Sequence, residues 1–135
     1  MKKKYLIILI AIIFIFSTLT ACNFNEEVQN NESLSYSNIS PLEAKELLDK
    51  NDKIVLLDVR TEEEYETAHI PSSNLLPLSE LETKVEKEIP NKEKQIIVYC
   101  RSGRRSAIAA ERLTDLGYVN VYDLGGIIDW PYETE

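Results

Sequence analysis

The chain has 135 residues, room for one ordinary domain and too few for two. Its 15 Lys and Arg face 23 Asp and Glu, and setting aside Lys2, Lys3 and Lys4 leaves 12 against 23, a formal charge of −11. A surface that acidic does not seek nucleic acid or anionic lipid, so any hold on a membrane must come from something other than charge.

Residues 1–21 are unlike the remainder. Lys2, Lys3 and Lys4 precede the apolar run LIILIAIIFIF, and small and polar residues then lead to Cys22, the anatomy of a secretory signal. The end of this segment, LTAC (Leu19 to Cys22), resembles the lipobox of bacterial lipoproteins. That resemblance implies removal of the signal before Cys22 and attachment of lipid to Cys22 itself, with acyl chains supplying the membrane hold. An uncleaved membrane helix is the alternative. Against it, Leu6 to Ala21 offers 16 residues interrupted by Ser17, Thr18 and Thr20, short of the ~20 that a comfortable span requires. Both readings place the protein at a membrane on its extracytoplasmic side. Residues 22–35 are rich in Asn and Glu and poor in core-forming side chains, as in a flexible linker. The folded domain is expected over 36–135.

Apolar runs and amphipathic stretches then alternate. SPLEAKELLDK opens with a helix entry, Ser40 as N-cap, Pro41 at the first helical position and Glu43 three after the cap. In KIVLLDVR, Ile54 to Leu57 are apolar without alternation, the pattern of a parallel strand covered on both faces. TEEEYETA repeats the capping pattern with Thr61 and Glu64. NLLPL is a short strand candidate that Pro77 restricts to an edge or a strand end. In SELETKVEKEI, with the residue before it, Leu78, Leu81, Val85 and Ile89 recur at helical spacing. QIIVYC (Gln95 to Cys100) is the clearest strand, RRSAIAAERLTDLGY a helix closed by Gly117, and YVNVYDL a final strand. Strand and helix in alternation with short connections predict an α/β fold, a small parallel sheet flanked by helices on both faces. Ligands of such sheets sit at the carboxyl ends of strands, where Asp58 and Cys100 both lie.

If Cys22 carries lipid, Cys100 has no internal disulfide partner. A lone thiol outside the cytoplasm has no reducing pool to guard it, so its presence asks for a chemical reason. The loop that follows supplies one. A thiolate is stabilised by a helix N-terminus and nearby cations, and RSGR lies between a strand end and a helix start, so successive N–H groups can point inward around the sulfur. Gly103 permits the tight turn this needs, and the same cradle would welcome an anion. Arg104 and Arg105 sit in the first helical turn, where the macrodipole disfavours positive charge. Their i+3 and i+4 neighbours, Ala107, Ile108 and Ala109, offer no acidic partner. A bound anion, or the thiolate with its substrate, would account for that placement; solvated arginines beside a buried strand cysteine are the plainer alternative.

CRSGRR resembles the active-site loop of rhodanese-like sulfurtransferases, a catalytic Cys with a six-residue cradle that contains Gly and ends in Arg. LLDVR, EEEYETAHIPSSNLLPL and LGGIIDW match in order that family's Asp-Val-Arg strand end, its His-Ile-Pro segment and its Gly-Gly...Trp finish, so the resemblance runs from Tyr36 to about Trp130. Ala68 departs from it, standing where the family more often has Gly. The resemblance implies a sulfurtransferase: Cys100 attacks the outer sulfur of thiosulfate or a similar small anionic donor, carries it as a persulfide, and passes it to a thiol, cyanide or protein acceptor. Arg101, Ser102, Gly103, Arg104 and Arg105 would form the cradle, with Arg101 and Arg105 the candidates for holding the donor's sulfonate by paired hydrogen bonds. Neither a metal nor an organic cofactor is implied. Asp58 and Arg60 match family positions beside the loop, Asp58 for positioning it or capping its own strand end, Arg60 as an ion-pair partner. His69, the only histidine, is expected to serve packing and a turn rather than a Cys-His pair, and Trp130 the core.

Two other functions compete. Cysteine phosphatases and arsenate reductases also place a Cys in an anion-binding loop before a helix, but those loops read Cys, five residues, Arg, whereas four residues separate Cys100 from Arg105. A smaller ring suits one sulfur better than a phosphoryl group. A sulfane-sulfur carrier or a non-catalytic rhodanese-type binding module is the second alternative; the latter commonly lacks the Cys that this chain keeps.

Overall fold

The computed structural model describes residues 35–135. The signal segment, Cys22 and the linker to residue 34 lie outside the described residues. Five parallel strands, β1 (Ser37–Asn38), β2 (Val55–Asp58), β3 (Asn74–Leu75), β4 (Gln95–Cys100) and β5 (Asn120–Gly126), form one sheet in the order β1-β5-β4-β2-β3. The helices are α1 (Pro41–Lys50), α2 (Glu62–Thr67), α3 (Leu81–Glu88) and α4 (Arg104–Asp115), with a 3₁₀ turn at Ile127–Asp129. Among the described residues no helix is long and apolar enough to cross a membrane.

The unalternating apolar runs have the cause expected of them. Leu57, Ile96, Val98 and Cys100 face α3 and α4, where Leu81, Val85, Ala109, Ala110 and Leu113 close one core layer. Leu56, Ile97 and Tyr99 face the opposite way, against Ala44 of α1, Ile70 and Trp130. Both faces of β2 and β4 are therefore dry, and each fully buried Leu, Ile or Val contributes about 1.5–3 kcal/mol.

Local signals in the sequence mark the helix ends. Both capping boxes are formed, Ser40 with Glu43 and Thr61 with Glu64. Gly117, at φ 90°, closes α4 in a left-handed turn. Its N–H reaches the Thr114 carbonyl and the Tyr118 N–H reaches that of Leu113, satisfying two otherwise orphaned carbonyls. Helix α3 is shorter than the apolar spacing predicts. Leu78 precedes it because the Leu78 N–H is taken by the Val59 carbonyl at 3.2 Å, and Glu80 closes a turn onto Pro77 at 2.8 Å. Strand β1 has no counterpart in the sequence pattern: it is two exposed residues held beside β5.

At the end of β2 a buried ion pair forms. Arg60 Nε lies 2.9 Å from both oxygens of Asp58, its Nη2 is 2.6 Å from Oδ2 and 2.7 Å from the Ala68 carbonyl, and the Arg60 N–H also donates to Oδ1. Asp58 is fully buried and Arg60 is 5% exposed. The guanidinium thus ties the strand end to the segment after α2. Removing one member of such a pair leaves an uncompensated buried charge. Arg60→Ala is expected to cost about 3–5 kcal/mol of unfolding free energy, read from urea midpoints at unchanged m.

Candidate active site

Strand β4 ends at Cys100 and α4 starts at Arg104, so three residues turn the chain. Gly103 makes the turn possible, at φ 95° as N-cap of α4. From there its N–H donates to Cys100 Sγ at 3.1 Å. The Cys100 residue is 1% exposed, while Arg101, Ser102 and Arg104 around it are exposed. Burial is the largest single influence on the thiol and pushes its pKa up; the N–H groups of Ser106, Ser102 and Gly103, with the Ser106 hydroxyl, together outweigh it and hold the group below its ordinary value. Thus the burial of the sulfur is more than offset by oriented backbone dipoles and the Ser106 hydroxyl, and its anion is easier to form than that of an ordinary thiol.

The loop is held from behind by β5. A register shift leaves Leu124 unpaired, so that Gly125 and Gly126 come to lie opposite Tyr99 and Cys100. A Cβ on Gly126 would sit 2.6 Å from the Arg101 carbonyl oxygen and 2.8 Å from Ser102 Cα, so only glycine permits this approach. The Ile128 N–H then donates to the Arg101 carbonyl at 3.3 Å, and the Asp123 carboxylate accepts the Gly125 N–H at 2.8 Å. Gly126 and Ser106 escaped the reading of chemical roles from the sequence. The Gly-Gly pair in LGGIIDW was a visible signal, since adjacent glycines at a strand end mark close backbone approach; nothing local to Ser106 singled it out.

Arg105 has a partner that its own helix does not provide. Its two terminal nitrogens each lie 2.7 Å from one oxygen of Glu64, 41 residues away on α2. The absence of acidic neighbours along α4 therefore does not leave this charge unbalanced, and within the loop it is the exposed Arg101 and Arg104 that have no salt bridge among the described residues. Glu64 also accepts the Thr61 N–H and hydroxyl in the capping box. Arg105 foremost, aided by Thr61, lowers the Glu64 carboxyl to about 2.

Asp58 and Arg60 belong to the other face. Asp58 lies in register with Tyr99, and the Arg60 guanidinium is 5.6 Å from the Tyr99 ring centroid. The hydrogen bonds of Asp58 run to Arg60, which makes it a strand-end cap and ion-pair member. His69 stacks on Tyr65 at 3.8 Å, with Nδ1 3.0 Å from the Tyr65 carbonyl and Nε2 3.5 Å from Glu135 Oε1, so both ring nitrogens face groups other than Cys100. Trp130 is buried in the layer with Ala44 and Ile70, as expected. A concavity of about 930 Å³ lies beside the start of β2 and is lined by Ile54, Ile70, Trp130 and Tyr132; none of the Cys100 loop reaches it. Among the described residues no cluster of His, Cys, Asp or Glu could hold a metal ion.

Residues 40–132 match the model of the rhodanese-like domain. The chain is 41% identical over 98 residues to the thiosulfate sulfurtransferase GlpE of Coxiella burnetii, covering 72% of this chain and 89% of that protein. It is 36% identical over 73 residues to the thiosulfate sulfurtransferase PspE of Escherichia coli, covering 54% of this chain and 70% of that one. Among solved structures, a rhodanese with anions from E. coli superposes with a TM-score of 0.57 at 32% identity, over 60% of this chain and 95% of that one.

The Glu64–Arg105 pair gives acid stability a defined sign. Because the folded-state pKa of Glu64, about 2, lies below its ordinary 4.5, its stabilisation is complete above pH 4.5 and is lost as pH falls through about 2. Glu64→Gln keeps a capping-box acceptor but lacks this contribution. The gap in urea midpoint between wild type and Glu64→Gln should be constant above that window and shrink within it.

Proposed function

This chain belongs to the rhodanese-like family, and on that premise we propose that it is a thiosulfate sulfurtransferase working through a Cys100 persulfide. The observation that carries the reading is the buried sulfur with loop N–H groups turned toward it, which favours the thiolate that such chemistry needs. The names of relatives similar over most of their length, thiosulfate sulfurtransferases, support the choice of donor.

The Cys100 thiolate attacks the outer sulfur of thiosulfate, the S–S bond of the donor breaks, and sulfite leaves with the bonding electron pair. The charge then rests on the outer sulfur of the persulfide, which the N–H groups of the loop can hold. A thiolate or cyanide attacks that outer sulfur and Cys100 departs as thiolate, returning the enzyme to its starting state. Electrons and protons balance without a metal or organic cofactor. Arg101 and Arg104, exposed and without salt bridges among the described residues, draw the dianionic donor to the loop, and Arg101 offers a planar fork to its sulfonate. Arg105 can join only with the donors that its pairing with Glu64 leaves over. The commitment of Arg105 to Glu64 also disfavours the phosphatase alternative, which needs that guanidinium over the loop.

The remaining proposal concerns place. Lys2 to Lys4, the apolar run and LTAC support secretion through residues 1–21, lipid on Cys22 and an extracytoplasmic domain on the linker of residues 22–35. Cells fed an alkyne-tagged fatty acid should label the wild-type protein and not Cys22→Ser; equal labelling of both would dismiss the anchor.

The transfer reaction is tested by mixing the protein with thiosulfate and weighing it intact. The expected result is a gain of one sulfur atom that Cys100→Ser abolishes and that cyanide removes as thiocyanate. Gain without removal by any acceptor would mark a carrier instead.

A further inference from the structure

The Ser106 side chain is fully buried in the third position of α4. Its Oγ lies 2.9 Å from the Gly103 carbonyl oxygen, 3.2 Å from that of Gly125 and 3.8 Å from Cys100 Sγ. Two carbonyl acceptors thus surround a hydroxyl that owns a single proton, and the Cys100 thiol donates to the same oxygen; once that thiol has lost its proton, the sulfur becomes a third acceptor. The Gly103 carbonyl does not depend on it, since that oxygen also accepts the Ala107 N–H at 3.1 Å. The proton is therefore free to follow charge. It has a carbonyl to rest on when the sulfur is neutral and a sulfur to turn to when it is not.

We propose that Ser106 is a positioning residue for the transfer reaction, its hydroxyl rotating from the Gly103 and Gly125 carbonyls to Cys100 Sγ whenever that sulfur is ionised. The proposal rests on the sulfur-transfer reading and adds a state-dependent contact to it. When Cys100 of the free enzyme ionises, Sγ bears the charge and the hydroxyl donates to it. In the persulfide Sγ is bonded to the outer sulfur and the charge has moved outward, so the hydroxyl returns to the carbonyls. No proton changes owner in either direction. The contact serves Cys100 as attacking group on the donor and again as leaving group toward the acceptor, because both steps pass through the same anion. The influences lowering the Cys100 pKa include both the N–H and the hydroxyl of Ser106, consistent with this geometry.

Of the charged groups around the loop, Arg101 and Arg104 stay exposed to solvent, and the others have pairings that a change at Ser106 leaves in place. Arg105 is held by Glu64 of α2, Asp58 by Arg60 at the end of β2, and the Asp123 carboxylate of β5 by the Gly125 N–H. The experiment is iodoacetamide alkylation of the full chain against pH, scored at Cys100 by peptide mass so that Cys22 is counted separately. It is performed for wild type, Ser106→Ala and Ser106→Thr, with circular dichroism confirming the native fold. Ser106→Ala should raise the midpoint by about one pH unit, the scale of one hydrogen bond to an anion, without lowering the plateau rate at high pH; Ser106→Thr, which keeps the hydroxyl, should restore the wild-type midpoint. An unchanged midpoint in Ser106→Ala would overturn the proposal, whatever happens to its melting temperature. So would equal shifts in folded Ala and Thr variants, which would trace the effect to packing. Alkylation uses no sulfur donor, so failure here leaves the transfer reading intact, and failure of wild type to take up sulfur leaves this result intact.

Discussion

The backbone of Gly126 lies directly against the backbone of Arg101 and Ser102, with no room for a side chain between them. That approach sets where the loop can run, and the loop sets where its N–H groups point. A thiol packed this deeply would ordinarily stay protonated, since burial disfavours its charged form. Only oriented dipoles at contact distance reverse that tendency, and they do so because the loop cannot sag away from β5. The Leu124 register shift serves the same end by delivering Gly125 and Gly126 to the carboxyl end of β4.

Two arginine–carboxylate pairs divide the surroundings of this loop. Asp58 and Arg60 are buried on the Tyr99 side and hold the end of β2 to the segment after α2. Glu64 and Arg105 are partly exposed and join α2 to the first turn of α4. Glu64 caps its own helix with the same carboxylate that clamps Arg105, so the start of α2 and the start of α4 are coupled through one side chain. The positive charge left to meet an anionic donor is then that of Arg101 and Arg104, together with the N–H groups themselves.

How far the site could be read from the chain depended on the span of each interaction. Cys100, Gly103 and the strand-to-helix turn were legible because each signal lies within a few residues: an apolar run, a thiol at its end, a glycine, then helix-forming residues. The ion-pair role of Arg60 came from the match of LLDVR to family positions, and the structure supplies its partner, Asp58, two residues away. The reading of Arg104 and Arg105 as equally unbalanced failed for Arg105, because helical spacing counts only neighbours on one helix and Glu64 arrives from another. Ser106 looked like an ordinary helix residue until β5 brought the Gly125 carbonyl to it from 19 positions away. Leu78 had helical spacing and still packs on the core, yet its N–H is claimed by Val59 across the sheet edge.

By itself the sequence determined the ends of α1, α2 and α4, the burial of both sheet faces and the presence of a thiol before a helix, because capping, periodicity and turn chemistry act over a handful of bonds. The tertiary structure alone decided the strand order β1-β5-β4-β2-β3, the pairing of β1, the Glu64–Arg105 clamp and the press of Gly126 on the loop. Each of these joins groups far apart along the chain. Their meeting depends on which strand lies beside which, and that is settled by packing the two apolar layers together rather than by any local preference.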